Sequence, residues 1–322
     1  MRQRRILTAA ALFVGAAALA APAFAGADFT LTDPRGDDHG DGYYAYPGRT
    51  EFAPGDLDLL TLAVRNAAGG TWFEATFANP IKVPGREAID DLGTQLDRVA
   101  RHGFYTFNLD IYIDTDRVPG SGAVAMMPGR KAEVDAASAW EKAVILTPTP
   151  GQAQSELKTL MAKSVVEARG AERERGLGRR RELRQEIGLD LERRVFFPVR
   201  TRVRGQTIRF FVPAEFLGGP AEPGWSYVVA VTGADIVQSF DLGASAGLSD
   251  PRRENLMAVP ISPGRWLDRF GGGVEGEELQ PPLIDVIVPE GRFQETLLRD
   301  FRSAEDRPAR LPGVVPEERK GG

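Results

Sequence analysis

Residues 103–114 read Gly103-Phe104-Tyr105-Thr106-Phe107-Asn108-Leu109-Asp110-Ile111-Tyr112-Ile113-Asp114. Tyr105, Phe107, Leu109, Ile111 and Ile113 alternate with Thr106, Asn108, Asp110, Tyr112 and Asp114, a period of two that belongs to an extended strand with one apolar and one polar face. Tyr105 falls on the apolar side and reads as core, whereas Tyr112, Asn108 and Asp110 share the side a ligand could reach. Thr71–Ala78 repeats the pattern, setting Phe73, Ala75 and Phe77 against Glu74 and Thr76, and Leu57–Val64 is apolar on both faces, as in a central strand. Val199–Arg204 and Thr207–Val212 flank a Gly205-Gln206 turn and read as a hairpin. Trp225–Val231 and Leu283–Val288 add two more strands. Strands follow one another mostly without helices between them, so the predicted fold is all-β, an antiparallel β-sandwich of immunoglobulin-like or jelly-roll type.

The chain has 322 residues, 42% hydrophobic and 26% charged, enough for a large packed core. Lys+Arg 40 against Asp+Glu 45 leaves a net charge of −5, a field that does not attract a polyanion, so nucleic acid is not an expected partner. Cys 0 excludes disulfides, thiol nucleophiles, iron–sulfur clusters and Cys-ligated zinc, and His 2 leaves only His39 and His102 for triad or multi-histidine metal chemistry.

Arg2, Arg4 and Arg5 precede an apolar run from Ile6 to Ala20, then Ala23-Phe24-Ala25, the small-x-small pattern of signal-peptidase cleavage. Residues 1–25 are therefore expected to be a signal peptide and the mature chain periplasmic or secreted, without a stable membrane span. The β-sandwich domain is expected over 26–302, with a charged helical insertion at 152–194 and a disordered, Arg-, Pro-, Glu- and Gly-rich tail at 303–322. In the insertion Leu157, Leu160, Met161 and Val165 recur at helical spacing, and Gly170, Gly176 and Gly178 predict two helices or a frayed excursion instead of one rigid rod. Glutamates around Arg179-Arg180-Arg181 make this a salt-bridged, solvated face.

The most informative stretch is Asp33-Pro34-Arg35-Gly36-Asp37-Asp38-His39-Gly40-Asp41-Gly42-Tyr43-Tyr44-Ala45-Tyr46-Pro47. Carboxylates this close repel unless solvated, protonated or joined by a cation, and glycines let a short loop wrap an ion. Calcium is the natural guest. Asp37, His39, Asp41 and Gly42 fit the first half of an EF-hand-like loop, but Gly48 stands where that loop needs its bidentate glutamate. The expected ligands are Asp33, Asp37, Asp38 and Asp41, with Asp114 and Asp116 as distant donors. A metal-free, hydrogen-bonded Asx-turn loop is the alternative.

These residues also carry a resemblance. Asp-Pro-x-Gly-Asp-Asp-x-Gly-x-Gly-x-Tyr-x-Tyr-Pro resembles the opening of the C-terminal binding module of glucodextranases and amylopullulanases, related to the DOMON and CBM9-like β-sandwiches. Further segments follow in order: Phe52-Ala53-Pro54-Gly55-Asp56-Leu57-Asp58-Leu59, Pro128-Gly129-Arg130-Lys131-Ala132, Trp140-Glu141-Lys142-Ala143, Val212-Pro213, Trp225-Ser226-Tyr227, and Ile284-Asp285-Val286-Ile287 with Gln294. The resemblance implies a non-catalytic, carbohydrate-associated sandwich, usually appended to a glycoside hydrolase. The helical insertion and the absence of a catalytic domain in this sequence depart from that pattern.

A sugar site on such a sandwich needs an aromatic platform and nearby hydrogen-bonding groups. Tyr43 and Tyr44 beside the acidic loop, Trp72 at a sheet rim, and Asn108, Asp110 and Tyr112 on the polar strand face are the candidates; Trp225 reads as core. Three functions follow. The first is a carbohydrate-binding module for an α-glucan or envelope polysaccharide. The second is a structural or assembly protein of the envelope that docks a partner, such as an envelope protein or glycoside hydrolase, through its helical insertion. The third is a noncovalent b-type haem carrier using Met126 or Met127 with His39 or His102.

Overall fold

In the computed structural model, the described residues are 28–168, 177–236, 255–275 and 280–316. The expected signal peptide at 1–25 lies outside them. Two five-stranded sheets face each other. The first runs β1 (Phe29–Thr32), β2 (Leu59–Ala67), β3 (Gly70–Phe77), β9 (Thr207–Pro213) and β8 (Thr201–Arg204), all antiparallel. The second runs β11 (Asp285–Ile287), β10 (Ser226–Gly233), β4 (Phe107–Asp114), β6 (Lys142–Leu146) and β7 (Val195–Phe196), antiparallel except for the parallel β6–β7 pair. The alternating faces decide what fills the gap. Phe73 and Phe77 of β3 and Phe210 of β9 meet Phe107, Leu109, Ile111 and Ile113 of β4 and Val229 and Val231 of β10. Phe77 and Phe107 touch across the two sheets with ring centroids 4.5 Å apart. The predicted sandwich and its principal strands are present, including the β8–β9 hairpin, in which Gly205 supplies a positive φ of 58°.

The outer face of the second sheet departs from expectation. It is covered by a third layer, so Asn108, Asp110 and Tyr112 are buried and do not form a ligand-accessible surface. Tyr112, Ala143, Ile145, Val228, Ala230 and Val286 pack there against Met126 and Met127, against α2 (Pro150–Ala168) and α3 (Leu177–Arg194), and against α5 (Gln294–Leu298). Two short helices, α1 (Leu96–Val99) and α4 (Ala214–Leu217), lie elsewhere. The described part of the insertion forms these two helices; residues 169–176, with Gly170 and Gly176, lie outside the described residues, and Gly178 falls inside α3. Ala153 and Leu157 of α2 and Leu191 of α3 are buried in this layer, each leucine contributing about 1.5–3 kcal/mol by burial. The insertion covers the sheet.

Polar groups under this cover find partners. The Arg130 guanidinium, 1% exposed, donates from Nε to Asp110 Oδ2 at 2.7 Å and from Nη2 to Asp110 Oδ1 at 3.1 Å, and from Nη1 to the carbonyls of Asn255 and Leu256 at 2.9 and 2.8 Å. Tyr112 donates its hydroxyl to Asp110 Oδ2 at 3.1 Å and accepts the Met127 N–H at 2.8 Å. Asn108 Nδ2 donates to Thr232 Oγ1 and to the Met257 carbonyl.

The tail is also corrected. Of the tail expected at 303–322, residues 317–322 lie outside the described residues, and 303–316 carry structure: β12 (Ala309–Leu311) pairs in parallel with β5 (Ala132–Val134), and Val314 exchanges backbone hydrogen bonds with Tyr227. Ala309 and Leu311 are buried while Arg310 is exposed, so two apolar anchors on an open strand edge suffice to seat a segment whose composition is otherwise that of a solvated chain.

Candidate functional site

The acidic segment leaves β1 at Asp33, whose N–H donates to the Leu60 carbonyl, and is laid over the start of β11. Gly40 makes this possible. Its φ is 57°, its N–H donates to the Ile284 carbonyl at 2.9 Å, and a Cβ there would run into the Tyr44 ring at 2.1 Å. Gln294 of α5 clamps the same junction, donating from Nε2 to the carbonyls of Asp37 and Gly40 while its Oε1 accepts the Val286 N–H at 2.8 Å.

Three carboxylates converge as a result. One oxygen each from Asp33, Asp37 and Asp285 lies within 4.8 Å of the others. Asp285 Oδ2 accepts the Leu59 N–H at 2.5 Å, whereas Asp285 Oδ1, both Asp33 oxygens and Asp37 Oδ1 are buried and receive no N–H or hydroxyl; the Asp33 and Asp285 carboxyls are paired only if a proton lies between them. Burial, then the neighbouring charge of Asp37, raises the Asp33 carboxyl; burial, then Asp33, raises Asp285 well above the usual range; burial pushes Asp37 up to about 6. Asp58 adds a further negative field, its Oδ2 accepting the Gly36 N–H and its Oδ1 buried without a donor. Unpaired buried oxygens are costly, and either protons or a cation relieve them. Calcium binds oxygens at about 2.3–2.6 Å, so two ligand oxygens on one ion lie up to about 5 Å apart, and the observed convergence fits it. Asp33, Asp37 and Asp285 would hold the ion, which would supply the missing positive charge.

The other predicted ligands lie elsewhere. Asp38 turns away to accept the Tyr46 hydroxyl and the Gly55 N–H, with His39 Nε2 3.7 Å from its other oxygen. Asp41 Oδ1 accepts the Tyr43 N–H at 3.0 Å in an Asx turn. Asp114 and Asp116 are not donors to this loop. Asp114 pairs with Ser226 and Asp285 with Val231, five residues apart along β10, about 16 Å at the rise of a strand. The distant carboxylate that reaches this loop is Asp285, whose signal in the sequence is a lone acid inside the apolar run Leu283-Ile284-Asp285-Val286-Ile287.

A sandwich opened by this glycine-rich acidic loop and closed on it by Asp285 and Gln294 is matched over residues 29–313 by the family model of the C-terminal binding-module, SLH-like, of glucodextranase. The chain belongs to that family. No curated protein matches it in sequence.

The module's predicted sugar-binding aromatics separate by exposure. Tyr44 is corrected to core: it is buried, and its hydroxyl donates to the Pro281 carbonyl at 3.1 Å. Tyr43 is 67% exposed, with the Arg299 guanidinium backing one face of its ring 4.7 Å from the centroid, and Arg299 Nε donates to the Asp41 carbonyl at 2.8 Å. Residues 43–48 are laced to 266–272. Ala45 and Gly271 exchange backbone hydrogen bonds, Gly48 N–H donates to the Trp266 carbonyl, and Gly272, with φ 89°, passes so close that a Cβ would meet the Tyr43 carbonyl at 2.1 Å. The second segment carries Trp266, 62% exposed. Trp72 is half-buried on the outer face of the first sheet, beside Phe211 with ring centroids 5.2 Å apart and under the Arg200 guanidinium. Met126 and Met127, named as haem ligands, are both buried in the second core. Among the described residues, no helix is long and apolar enough to cross a membrane.

Proposed function

We propose that this chain is an exported, non-catalytic carbohydrate-binding module of the cell envelope or exterior, whose aromatic surface is held in place by a calcium-pinned loop. Family membership supports the binding role, and the observation that carries the site is Tyr43, its ring open on one side and backed by Arg299 on the other. A pyranose ring stacks on such a face, and Trp266 on the laced neighbouring segment offers a second platform. The ion would act at a distance: Asp37 lies six residues before Tyr43, so ordering the acidic loop orders the platform. The ligand class is a neutral α-glucan or an envelope polysaccharide, and a glycoside hydrolase is the natural partner.

The purified chain should be retarded in affinity electrophoresis by one such polysaccharide. Tyr43→Ala and Trp266→Ala are each expected to weaken binding by about 2–10-fold with the fold intact, the loss of one aromatic contact. Retention by none of an array of α-glucans and isolated envelope polysaccharides would remove the reading. A second location is favoured by the half-exposed Trp72–Phe211 pair, and loss of binding in Trp72→Ala with Tyr43→Ala unaffected would move the site to the sheet face. The scaffold alternative has less support, because Ala153, Leu157 and Leu191 of the helical insertion are buried against the sheet.

A further inference from the structure

At the other end of the second sheet, the antiparallel register that pairs Ile113 with Lys142 sets Asp114 opposite Glu141, two like charges facing across adjacent strands. The loop after β4 brings Asp116 to the same place, and one carboxylate oxygen from each of the three lies within 4.8 Å of the others. Asp114 is only 1% exposed. Its Oδ1 accepts the Arg117 N–H at 2.7 Å and the Asp116 N–H at 3.3 Å, while its Oδ2 is buried with no donor at all. Glu141 Oε2 accepts the Thr115 N–H at 2.8 Å, and Ser121 Oγ lies within hydrogen-bond distance of both Glu141 Oε1 and Asp116 Oδ1. The two adjacent basic side chains are directed elsewhere: Arg117 donates to the Gly224 carbonyl and Lys142 to the Arg193 carbonyl.

We propose that Asp114, Asp116 and Glu141 form a second divalent-cation site, for calcium, independent of the acidic loop. An all-oxygen, all-carboxylate donor set selects a hard cation. The spacing again matches oxygens sharing one ion of calcium's size, and Asp114, buried with one oxygen unpartnered, would gain in that cation the charge partner it lacks. The ion would join the end of β4 to the start of β6 and fix the 115–121 loop. This inference does not depend on sugar binding or on the first site.

The full chain, stripped with chelator and titrated with calcium by calorimetry, should bind two ions. Asp116→Asn and Glu141→Gln should each remove one of them or weaken it at least tenfold, and Asp37→Asn should remove the other. Asp116 lies at the surface, so its variant is expected to keep the wild-type circular dichroism. Terbium offers a second readout. Because Trp140 adjoins Glu141, the terbium luminescence excited through tryptophan should persist in Asp37→Asn and be diminished in Glu141→Gln. A single ion abolished by Asp37→Asn, or two ions untouched by both Asp116→Asn and Glu141→Gln, overturns the second site. A single ion abolished by Asp116→Asn supports it and overturns the first site instead; binding of no ion overturns both.

Discussion

Replacing Asp110 by alanine is expected to destabilise the protein by about 3–5 kcal/mol, enough to bring a domain of ordinary stability close to unfolding. The loss comes less from the attraction removed than from what remains. Arg130 is buried under the third layer, and without Asp110 its Nε and Nη2 face no acceptor of equal charge. Arg130→Ala should cost a similar amount for the converse reason, leaving the buried Asp110 charge with only the Tyr112 hydroxyl and taking the guanidinium donor from the carbonyls of Asn255 and Leu256. The double replacement Asp110→Leu with Arg130→Met is expected to recover most of either loss, because an apolar pair of similar volume has no charge to desolvate. Urea unfolding of the four proteins closes the cycle. Equal and additive losses of under 1 kcal/mol would mean that the two side chains do not act as a buried pair. The same experiment separates a structural Asp110 from a sugar-binding one, since a ligand-facing carboxylate is removable at little cost to stability.

That contrast shows where the sequence stops being legible. Period-two alternation found the strands that line the inter-sheet core, because Phe73, Phe77, Phe107 and Leu109 obey it. The same alternation, applied to the other side of β4, called Asn108, Asp110 and Tyr112 accessible. Alternation reports which side chains are polar and is silent on what lies above them; a polar face covered by helices reads the same as one in water. The covering residues come from far along the chain, and the Asp110 partner, Arg130, has no local sign beyond its Pro128-Gly129-Arg130 setting. Short edge strands such as β5, β7 and β12 escaped because two or three residues are too few to show a period. The acidic loop was legible as a whole, yet its ligands were not. Four aspartates in nine residues look equivalent in sequence, and the fold assigns Asp33 and Asp37 to the cluster, Asp38 to Tyr46 and Gly55, and Asp41 to an Asx turn.

The cluster at Asp33, Asp37 and Asp285 makes stability depend on pH in a direction opposite to that of salt-bridged carboxylates. Burial and mutual repulsion hold these carboxyls above their ordinary value of 3.8, Asp37 at about 6 and the facing Asp33–Asp285 pair raised as well. The folded chain therefore keeps protons that the unfolded chain releases. With chelator present, the stabilisation tied to those protons is complete below about pH 4 and is lost as pH rises through about 6 for Asp37 and onward as the pair ionises. The melting temperature in chelator should accordingly fall from mildly acidic to mildly alkaline pH. Calcium replaces the protons, so its effect should grow across the same window. At a free concentration about a hundredfold above its dissociation constant it adds about 2.7 kcal/mol, or roughly 4–5 °C for a domain of this size. Asp285→Asn relieves the repulsion without an ion and is expected to flatten the pH dependence in chelator while removing most of the response to calcium assigned to this cluster. Melting curves that coincide with and without calcium at alkaline pH, together with a flat profile in chelator, would show that the three carboxylates are accommodated by neither protons nor a metal, and the calcium-pinned loop would have to be abandoned.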